Sequence, residues 1–531
     1  MGDGKIAKSD TMLQSNASSS ELAGSLSSDG IQNATVGHSN DLKRNYSLWS
    51  ILGAGFSLTN SWFGVSIAMV TGINSGGPVL LVYGIIIVML VSICVGVSLS
   101  ELASALPNAG GQYFWAAQLS SRKYARFSSY LTGWFSWAGA IFSCTSTTIG
   151  VASGLVGCWQ LSHPDYVVKD YHVFATYLIL TWVCFLFNCY GKILPGVATT
   201  GLYCSLISFV VILATVPATA PSHQSPKFVF ATFINNTGWT NAGIAFITGL
   251  INANWAFACL DCATHLAEEV HQPERMIPIA IMGTVAIGFV TSWCFVVSML
   301  FSIIGDFQDV ANSLTGVPIL QLFYNALDNT AGAIVLEVLI ICTGLGCVIA
   351  GHTWQSRLCF SFARDSGVPG HKWLQKIDAK LDVPLNAHFT SCVIVTIVGC
   401  MYLASTAAFS AMSSACIVLL YISYAIPVIC LPCRGRQKSL TGPFNLGVFG
   451  LISNYVLLAW TVFTLVLYSF PSYMPATAGN MNYVCVVYAI VLFIIAVDWS
   501  CRGRKHYRGQ EERQVDIEPN DIFVKAGPAE P

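Results

Sequence analysis

The sequence contains few charged residues. Asp, Glu, Lys and Arg together make up 10% of its 531 residues, whereas a soluble protein of this length carries about a quarter. Hydrophobic residues make up 54% of the chain, and the mean hydropathy is +0.62. This composition excludes a globular protein that faces water on all sides. The net charge of −1 is uninformative about partners, and we expect no nucleic acid among them.

Patterns typical of several other protein classes are also absent from the sequence. Alternating ten-residue strands of the membrane-barrel type do not occur, so helices remain as the way to satisfy the backbone in lipid. The first 45 residues are polar and lack an apolar core, so we expect no cleavable signal peptide. The 19 cysteines follow no zinc or disulfide spacing. The sequence also contains no clustered set of a nucleophile and a base. We therefore expect no metal, no cofactor and no enzymatic activity.

Apolar runs of about 20 residues recur along the chain, and this is the length that spans the ~30 Å hydrocarbon core of a lipid bilayer. They predict an all-α integral membrane protein with twelve transmembrane helices. The predicted spans cover residues 48–73, 78–105, 127–158, 172–190, 196–217, 241–266, 278–304, 332–356, 386–404, 408–431, 448–470 and 482–500.

The distribution of Lys and Arg predicts the orientation in the membrane. With the amino terminus in the cytoplasm, the inner loops hold nineteen of these residues, whereas the outer loops hold only Lys169 and Lys227. An even number of spans then leaves both termini in the cytoplasm. Residues 1–45 are rich in Ser, Gly and Asn, and residues 501–531 are charged and contain several prolines. Both segments therefore predict disordered cytoplasmic tails.

One glycosylation sequon lies in a predicted outer loop. Asn235 begins the sequence Asn-Asn-Thr between spans 5 and 6. The sequons at Asn16, Asn33 and Asn45 lie on the predicted cytoplasmic side, where no glycan is added. Because only an exposed outer sequon is modified, Asn235 is the predicted glycosylation site.

Two spans carry similar interruptions. Span 1 contains LTNSWFG at residues 58–64, and span 6 contains LINANWAFA at residues 250–258, each with Asn ahead of Trp at mid-depth. Paired interruptions in two halves of a chain are typical of transporters built from inverted repeats. A broken helix exposes carbonyl groups that attract cations and amide groups that attract anions. The two segments therefore predict a site for a small charged or polar ligand.

Aromatic residues flank both interruptions. The candidate ring residues are Trp62 and Phe63 in span 1, Trp255 and Phe257 in span 6, and Trp134 and Trp137 in span 3. Such rings bind a quaternary ammonium ion with about 0.5–2 kcal/mol per contact. Tryptophan is also common at membrane interfaces, so an interface belt is the alternative for the pair in span 3.

Asp261 is an ionisable residue in span 6, where a charge at the helix centre costs roughly 2.5–3.5 kcal/mol. At 1.5 Å per residue it lies about 10 Å to the cytoplasmic side of the midpoint of the span. Three roles are open to it. They are an electrostatic partner for a bound ammonium ion, a proton carrier, and a hydrogen-bonded anchor for unwound backbone.

Longer segments of the chain resemble a known group of transporters. SELASALPNAGGQYFW after span 2, AEEVHQPERMIP after span 6 and FARDSGVP after span 8 are similar to motifs of the amino acid–polyamine–organocation superfamily. The run through spans 6 and 7 is similar to fungal choline permeases, which belong to the amino acid/choline transporter family of this superfamily. The resemblance covers roughly residues 45–500. It implies a plasma-membrane secondary transporter that imports choline by alternating access, with ethanolamine as a second candidate substrate.

The alternative is a 4-aminobutyrate or amino-acid permease of the same fold. Such carriers often have Gly-Ser-Gly at the first interruption to hold a carboxylate, whereas this chain has Leu58, Thr59 and Asn60 there. The resemblance also leaves the coupled ion open. Proton-coupled members often carry a Lys in span 5, and none occurs in this span, so a coupled proton and uptake driven by the membrane potential alone are both candidates.

The resemblance implies a core of five plus five helices in inverted repeats, with helices 1 and 6 broken and two helices added. The repeats would cover residues 46–217 and 218–431, and helices 11 and 12 would lie within residues 432–500. The substrate would lie between the broken helices, next to spans 3, 8 and 10. The candidate substrate-binding residues are Thr59, Asn60, Ser61, Trp62, Trp134, Trp137, Asn254, Trp255, Phe257, Cys259 and Asp261.

Four charged residues are candidates for gating or ion coupling: Glu101, Glu269, Glu337 and Arg357. Glu101 and Glu269 belong to the motifs at the inner ends of spans, where salt bridges with nearby arginines of a gate or loop are expected. Glu337 lies near the outer end of span 8, and we expect it to be within reach of water.

Overall fold

The computed structural model describes residues 44–404 and 408–509. Over these residues the fold is all-α, as predicted, and β pairing is limited to two isolated bridges. Most of the two predicted tails, residues 1–43 and 510–531, lies outside the described residues.

The α-helices of the described residues are, in chain order, α1 (Leu48–Thr59), α2 (Ser61–Ile67), α3 (Met69–Ser75), α4 (Gly77–Ala105), α5 (Gln112–Leu119), α6 (Ala125–Ser162), α7 (Asp170–Asn188), α8 (Leu194–Thr219), α9 (Pro226–Ala231), α10 (Ala242–Gly249), α11 (Ile251–Ala256), α12 (Pro273–Phe301), α13 (Phe307–Ala311), α14 (Pro318–Leu327), α15 (Thr330–Arg364), α16 (His371–Leu374), α17 (Leu385–Gly399), α18 (Met401–Ala404), α19 (Ala408–Arg434), α20 (Arg436–Ser439), α21 (Val448–Leu467), α22 (Val484–Asp498) and α23 (Arg504–His506). Short 3₁₀ helices cover Gly191–Ile193 and Cys262–Glu269, and a π-helical turn covers Trp499–Gly503.

Ten helical segments among the described residues are long and apolar enough to cross a membrane. They are built on α4, α6, α7, α8, α12, α15, α17, α19, α21 and α22. Each coincides with one of the predicted spans. Their lengths follow from the unbroken apolar runs, because a helix in hydrocarbon must satisfy all of its backbone groups internally.

The other two predicted spans, 48–73 and 241–266, consist of shorter pieces. The first comprises α1, α2 and α3, and the second comprises α10 and α11 followed by the 3₁₀ helix Cys262–Glu269. Asn60 and Cys259 have the positive φ angles of 29° and 64° at the two interruptions. A residue with positive φ cannot continue a right-handed helix, so each span is interrupted there.

Packing brings the two interrupted spans together. α2 packs against α11, while α4 packs along α12, and α6 packs along α15 and α19. The contact between α2 and α11 needs a small residue at Gly64, because a Cβ atom there would lie 2.8 Å from the Cα atom of Ala256. Close approach at small residues is a general feature of helix packing in membranes. The two interruptions therefore face each other.

Residues 499–509, most of which were predicted to belong to the C-terminal tail, pack against the bundle. Tyr507 is fully buried, and its hydroxyl group lies 2.6 Å from that of Ser129 on α6. Arg502 donates hydrogen bonds to the carbonyl oxygens of Ser366 and Gly367 at 2.7 and 2.8 Å. The end of the last long helix is thus attached to the loop that follows α15.

Candidate functional site

The first interruption is confined to Asn60, between α1 and α2. The Asn60 side-chain amide donates a hydrogen bond to the Ser205 hydroxyl of α8 at 3.1 Å. The Trp62 indole donates to the same oxygen at 2.9 Å, and its ring packs 5.4 Å from that of Phe295 on α12. Asn60 and Trp62 therefore both face α8, and Trp62 also faces α12.

The second interruption is longer and runs from Phe257 to Asp261. Its backbone forms single turns, such as the 3.2 Å bond from the Ala258 N–H to the Trp255 carbonyl. The positive φ of Cys259 turns the chain here, and its sulfur lies 3.1 Å from the Ser143 hydroxyl of α6. The sequence predicted the interruption of span 6 at residues 250–258. Most of that stretch is helical in α11, and the unwound segment begins at its end.

Asp261 lies at the end of this unwound segment, and both of its oxygens are occupied. Tyr424 of α19 donates to Oδ1 at 2.6 Å. Gln112 of α5 donates to Oδ2 at 2.9 Å, and the Nε2 atom of His265 lies 3.2 Å from the same oxygen. Of the three roles left open by the sequence, this geometry fits the hydrogen-bonded anchor for unwound backbone. The two most distant partners, Gln112 and Tyr424, were not recognisable from the sequence.

A small cavity lies between the two interruptions. It is lined by Leu58, Thr59, Phe63 and Gly64 at the first interruption, by Ser143 and Thr147 of α6, by Trp255, Ala258 and Cys259 at the second interruption, and by Cys347 of α15. The space free for water-sized spheres is about 10 Å³, or about one water molecule. None of these described lining residues is charged. The cavity is therefore a small, uncharged pocket with aromatic and hydroxyl groups in its wall.

Three of the predicted substrate-binding residues line this cavity: Thr59, Trp255 and Cys259. The indole N–H of Trp255 donates to the Ser146 hydroxyl of α6 at 3.2 Å, which fixes the orientation of the ring. The Thr59 hydroxyl is buried and has no hydrogen-bond partner among the described residues. An aromatic face and an unpaired hydroxyl group are thus available to a ligand.

The remaining predicted residues lie elsewhere. Asn254 accepts a hydrogen bond from Tyr421 and donates one to Tyr468, both at 3.1 Å. Ser61 and Phe257 lie against Gly288 of α12. These side chains pack against neighbouring helices and do not line the cavity.

Trp134 and Trp137 lie toward the start of α6, with their ring centroids 5.7 Å apart. The Trp137 indole donates to Ser391 of α17 at 3.2 Å. Neither residue lines the cavity between the interruptions.

The sequence reasoning missed Ser143, Thr147 and Cys347 as lining residues. A signal for the first two was present, because residues 143–148 read SCTSTT, a run of small polar residues inside an apolar span. Such residues in a membrane helix either bond to their own backbone or face a polar site. Cys347 carried no such signal, and its thiol donates to the Leu58 carbonyl at 3.0 Å.

A sequence profile described as amino acid permease matches residues 46–492. The chain belongs to this family. It is 53% identical over 474 residues to a choline transporter of Saccharomyces cerevisiae, an alignment that covers 89% of this chain and 84% of the yeast protein. It is 35% identical to the 7-keto 8-aminopelargonic acid transporter of the same yeast, over 86% of this chain and 91% of that protein. A swainsonine transporter of Arthroderma benhamiae is 33% identical, over 88% and 92% of the two chains.

The end of this permease that carries Arg357, Arg364 and Arg436, called the basic end below, is closed by buried ion pairs. Arg357 of α15 holds Glu269 with N···O distances of 2.9 and 3.4 Å. Arg364 lies seven residues further along α15, about two helical turns away. It pairs with Glu268, and its Nη1 atom lies 3.1 Å from Oε2. The salt bridges expected at these glutamates are present, and they tie the 3₁₀ helix after the second interruption to α15.

Glu101 forms a third ion pair at the basic end of the permease, in which the carboxylate is buried and Arg436 is half-buried. Arg436, just after α19, donates to its two oxygens at 2.9 and 2.7 Å. The N–H of Leu446 also donates to Oε1 at 2.9 Å. The sequence did not single out Arg436 as a salt-bridge partner of Glu101.

Tyr46 contributes to the closure of the basic end of the permease. Its N–H donates to the Glu269 carbonyl at 3.1 Å, and its side chain is buried. Burial and the nearby Glu269 carboxylate raise the pKa of Tyr46 well above its usual range. The region around the Glu269–Arg357 pair is therefore closed to water in this conformation.

The opposite end of the permease contains a larger cavity of about 330 Å³, next to α2, α3 and the half of α6 that lies away from the basic end. Gly150 of α6 lines it, and Thr147, three residues earlier on the same helix, lines the small cavity. Three residues rise about 4.5 Å along a helix. The two cavities are therefore about one helical turn apart. On the other side of the small cavity, the ion pairs close the basic end of the permease.

Two further predicted residues lie away from the small cavity. Glu337 of α15 is fully buried, so the expectation that it reaches water is wrong in this conformation. Its Oε1 lies against Gly154 of α6, because α6 and α15 pack closely there. Asn235 is half-buried, and its side-chain amide donates to the Trp239 carbonyl at 2.8 Å. Glycosylation at Asn235 stays a prediction.

Proposed function

We propose that this permease imports choline across the plasma membrane by alternating access, with ethanolamine as a second substrate. The observation that carries the proposal is the uncharged cavity between the two interruptions, where the rings of Phe63 and Trp255 meet the hydroxyl groups of Thr59 and Thr147. Aromatic faces stabilise a quaternary ammonium ion, which donates no ordinary hydrogen bonds. In this conformation the cavity holds about one water molecule, so choline binding requires the two interruptions to move apart. The unpaired Thr59 hydroxyl is then a partner for the hydroxyl group of choline. The choline transporter of yeast at 53% identity supports the same substrate.

A 4-aminobutyrate or amino-acid permease is the rival proposal. A carboxylate substrate requires charged donors or several free N–H groups at its oxygens, and the described lining of the cavity contains no Lys or Arg. Asp261 does not discriminate between the two, because its oxygens are bonded to protein groups. The lack of a cationic side chain among the described lining residues therefore favours the organic cation.

Alternating access requires two halves that move against each other. We propose that α1–α3 form one span and that α10, α11 and the 3₁₀ helix Cys262–Glu269 form another, which gives twelve spans with the ten long ones. The packing of α4 on α12 and of α6 on α15 is what inverted repeats over residues 46–217 and 218–431 would produce. With the basic end and both termini in the cytoplasm, this conformation would take up substrate from outside.

The membrane potential alone supplies a driving force for a cationic substrate. Moving one positive charge through 100 mV releases about 2.3 kcal/mol. This free energy corresponds to roughly fiftyfold accumulation of choline. Import therefore needs no second ion, although a coupled proton would increase the gradient.

Uptake of radiolabelled choline in a host that lacks its own choline transport tests the function. We expect saturable uptake that excess unlabelled choline abolishes, that ethanolamine reduces, and that excess 4-aminobutyrate leaves unchanged. Cells with the empty vector serve as the control. Saturable uptake of labelled 4-aminobutyrate without uptake of choline would reject the proposal in favour of its rival.

Glu337 is the candidate that we propose for carrying a coupled proton. Glu101 and Glu269 are held by arginines, whereas no described residue donates a hydrogen bond to either oxygen of Glu337. A buried carboxylate without a partner is costly in its charged form, so this environment suits the bound proton.

Replacing Glu337 with Gln tests this assignment. In the wild type, lower external pH is expected to accelerate choline uptake, since more transporters then load a proton from outside, and uptake should acidify the cytoplasm. The Gln variant should lose both effects and retain uptake driven by the membrane potential. Asp328→Asn, at an exposed carboxylate before the same helix, is the matched control. A Glu337→Gln variant that keeps the pH dependence and the acidification would exclude Glu337 as the carrier.

A further inference from the structure

Two histidines and a cysteine meet in the interior of the bundle, away from the cavity and the ion pairs. His352 lies on α15, and His388 and Cys392 lie four residues apart on α17, so that they share one helical face. All three side chains are buried. One nitrogen or sulfur atom from each lies within 4.8 Å of the other two.

We propose that His352, His388 and Cys392 form a buried zinc site that joins α15 to α17. In tetrahedral zinc sites, bonds of about 2.3 Å to sulfur and about 2.0 Å to nitrogen leave these ligand atoms roughly 3.5 Å apart. The Cys392 sulfur lies 3.4 Å from the Nδ1 atom of His352 and 3.6 Å from that of His388. The cluster therefore has the ligand spacing of a zinc site, which the sequence did not predict because the three residues follow no known spacing.

The surroundings of His388 also fit a metal ligand. Its Nε2 atom lies 3.2 Å from the backbone carbonyl of Phe185, and a carbonyl only accepts, so Nε2 carries the hydrogen. The lone pair on Nδ1 then points toward Cys392. A histidine that binds a metal with one nitrogen usually donates its other N–H to a carbonyl or carboxylate in this way.

Gln355 supplies an independent indication that a ligand belongs here. The Oε1 atom of Gln355 is buried and has no hydrogen-bond partner within residues 44–404 and 408–509. The Gln355 amide nitrogen lies 3.9 Å from the Cys392 sulfur, so rotation of the amide brings its oxygen toward the same centre. Gln355 is thus the candidate for the fourth ligand.

Binding is chemically balanced without another reactant. The Cys392 thiol loses its proton to solvent when sulfur bonds to Zn²⁺, and the two imidazoles bind through lone pairs as neutral ligands. The site would hold α15 against α17 at a position between the two functional regions. Cys347 of the cavity and Arg357 of the ion pair each lie five residues from His352 along α15.

Metal analysis of the purified full-length chain in detergent tests the proposal. After incubation with zinc chloride and removal of free metal, the wild type should retain about one zinc ion per chain. Cys392→Ser and His352→Gln should weaken zinc retention at least about tenfold, which is the lower range even for loss of an outer partner of a metal ligand. Cys359→Ser removes another buried cysteine of α15 and should retain zinc like the wild type.

Cobalt replacement adds a readout that depends on the sulfur ligand. Co²⁺ bound to the wild type should produce a thiolate-to-cobalt charge-transfer band, which Cys392→Ser removes and Cys359→Ser preserves. Monodisperse elution from a sizing column checks that each variant is folded, and His352→Gln replaces Cys392→Ser if the latter aggregates. A wild type that binds no added zinc, or variants that retain zinc equally, would overturn the site. Neither outcome depends on whether choline is the substrate.

Discussion

Replacing Trp255 with alanine is expected to raise the KM for choline uptake by up to roughly thirtyfold, because an aromatic contact with a desolvated ammonium ion contributes about 2 kcal/mol. Trp255 lines the cavity between the interruptions, and its ring is oriented by the hydrogen bond to Ser146. Initial rates of labelled choline uptake over a range of concentrations, normalised to transporter at the cell surface, measure the change.

Two variants separate the aromatic face from general effects of truncation. Trp255→Phe retains a ring, and its KM should rise much less than that of Trp255→Ala. Trp159→Ala removes an exposed tryptophan near the far end of α6 and should leave the KM unchanged. An unchanged KM in Trp255→Ala, with normal surface expression, would show that choline does not bind against this ring.

Replacing Arg357 with alanine is expected to reduce choline uptake per surface transporter by at least about a hundredfold. Removal of one partner of a buried ion pair costs about 3–5 kcal/mol, since the other charge stays buried without compensation. Here Glu269 would be left unpaired at the basic end, beside the buried Tyr46. The conformation that is closed at the basic end would therefore be destabilised. Because transport needs this conformation in every cycle, choline uptake would fall.

A second replacement distinguishes the effect of the unpaired Glu269 charge from misfolding of the variant. The double variant Arg357→Met with Glu269→Leu removes both charges, and buried pairs replaced by apolar residues are often tolerated. It should recover a substantial part of the uptake lost in Arg357→Ala. Arg275→Ala, at an exposed arginine, should behave like the wild type. Equal loss in the single and double variants would contradict the role of the unpaired charge.

Opening of the basic end can also be measured directly. Cys262 lies beneath Tyr46 at the edge of a narrow cavity of about 20 Å³, and it is buried when the ion pair is intact. With the basic end in the cytoplasm, as proposed above, a thiol reagent applied to inside-out vesicles should label Cys262 faster in Arg357→Ala than in the wild type. Mass spectrometry of the peptide containing Cys262 distinguishes it from the exposed cysteines.

The positions of the long helices were predictable from the sequence. The predicted span 78–105 corresponds to α4 at Gly77–Ala105, and the span 127–158 lies within α6 at Ala125–Ser162. Hydropathy is a local property that accumulates along a run of residues, so it needs no knowledge of the partners of a helix. The two interruptions were predictable for a similar reason, because Asn and Gly favour non-helical backbone locally.

The direction of individual side chains was not predictable in this way. Trp62 and Phe63 are neighbours at the first interruption, yet Phe63 lines the cavity and Trp62 packs against Phe295. Successive residues of a helix point about 100° apart, so a small rotation of α2 decides which ring meets a ligand. That rotation depends on the contact between Gly64 and α11 and on Ser205 of α8.

By itself, the sequence determined that this protein is a helical membrane permease with two interrupted spans, since hydrophobic runs, turn-forming residues and family motifs are read along the chain. Only the tertiary structure decided that Asp261 is bonded to Tyr424 and Gln112, that Glu337 is buried without a partner, and that His352 meets Cys392. These contacts join residues that are distant in sequence, and they depend on how helices rotate and pack against one another. A pattern within one helix contains no information about the residues that another helix will bring to it.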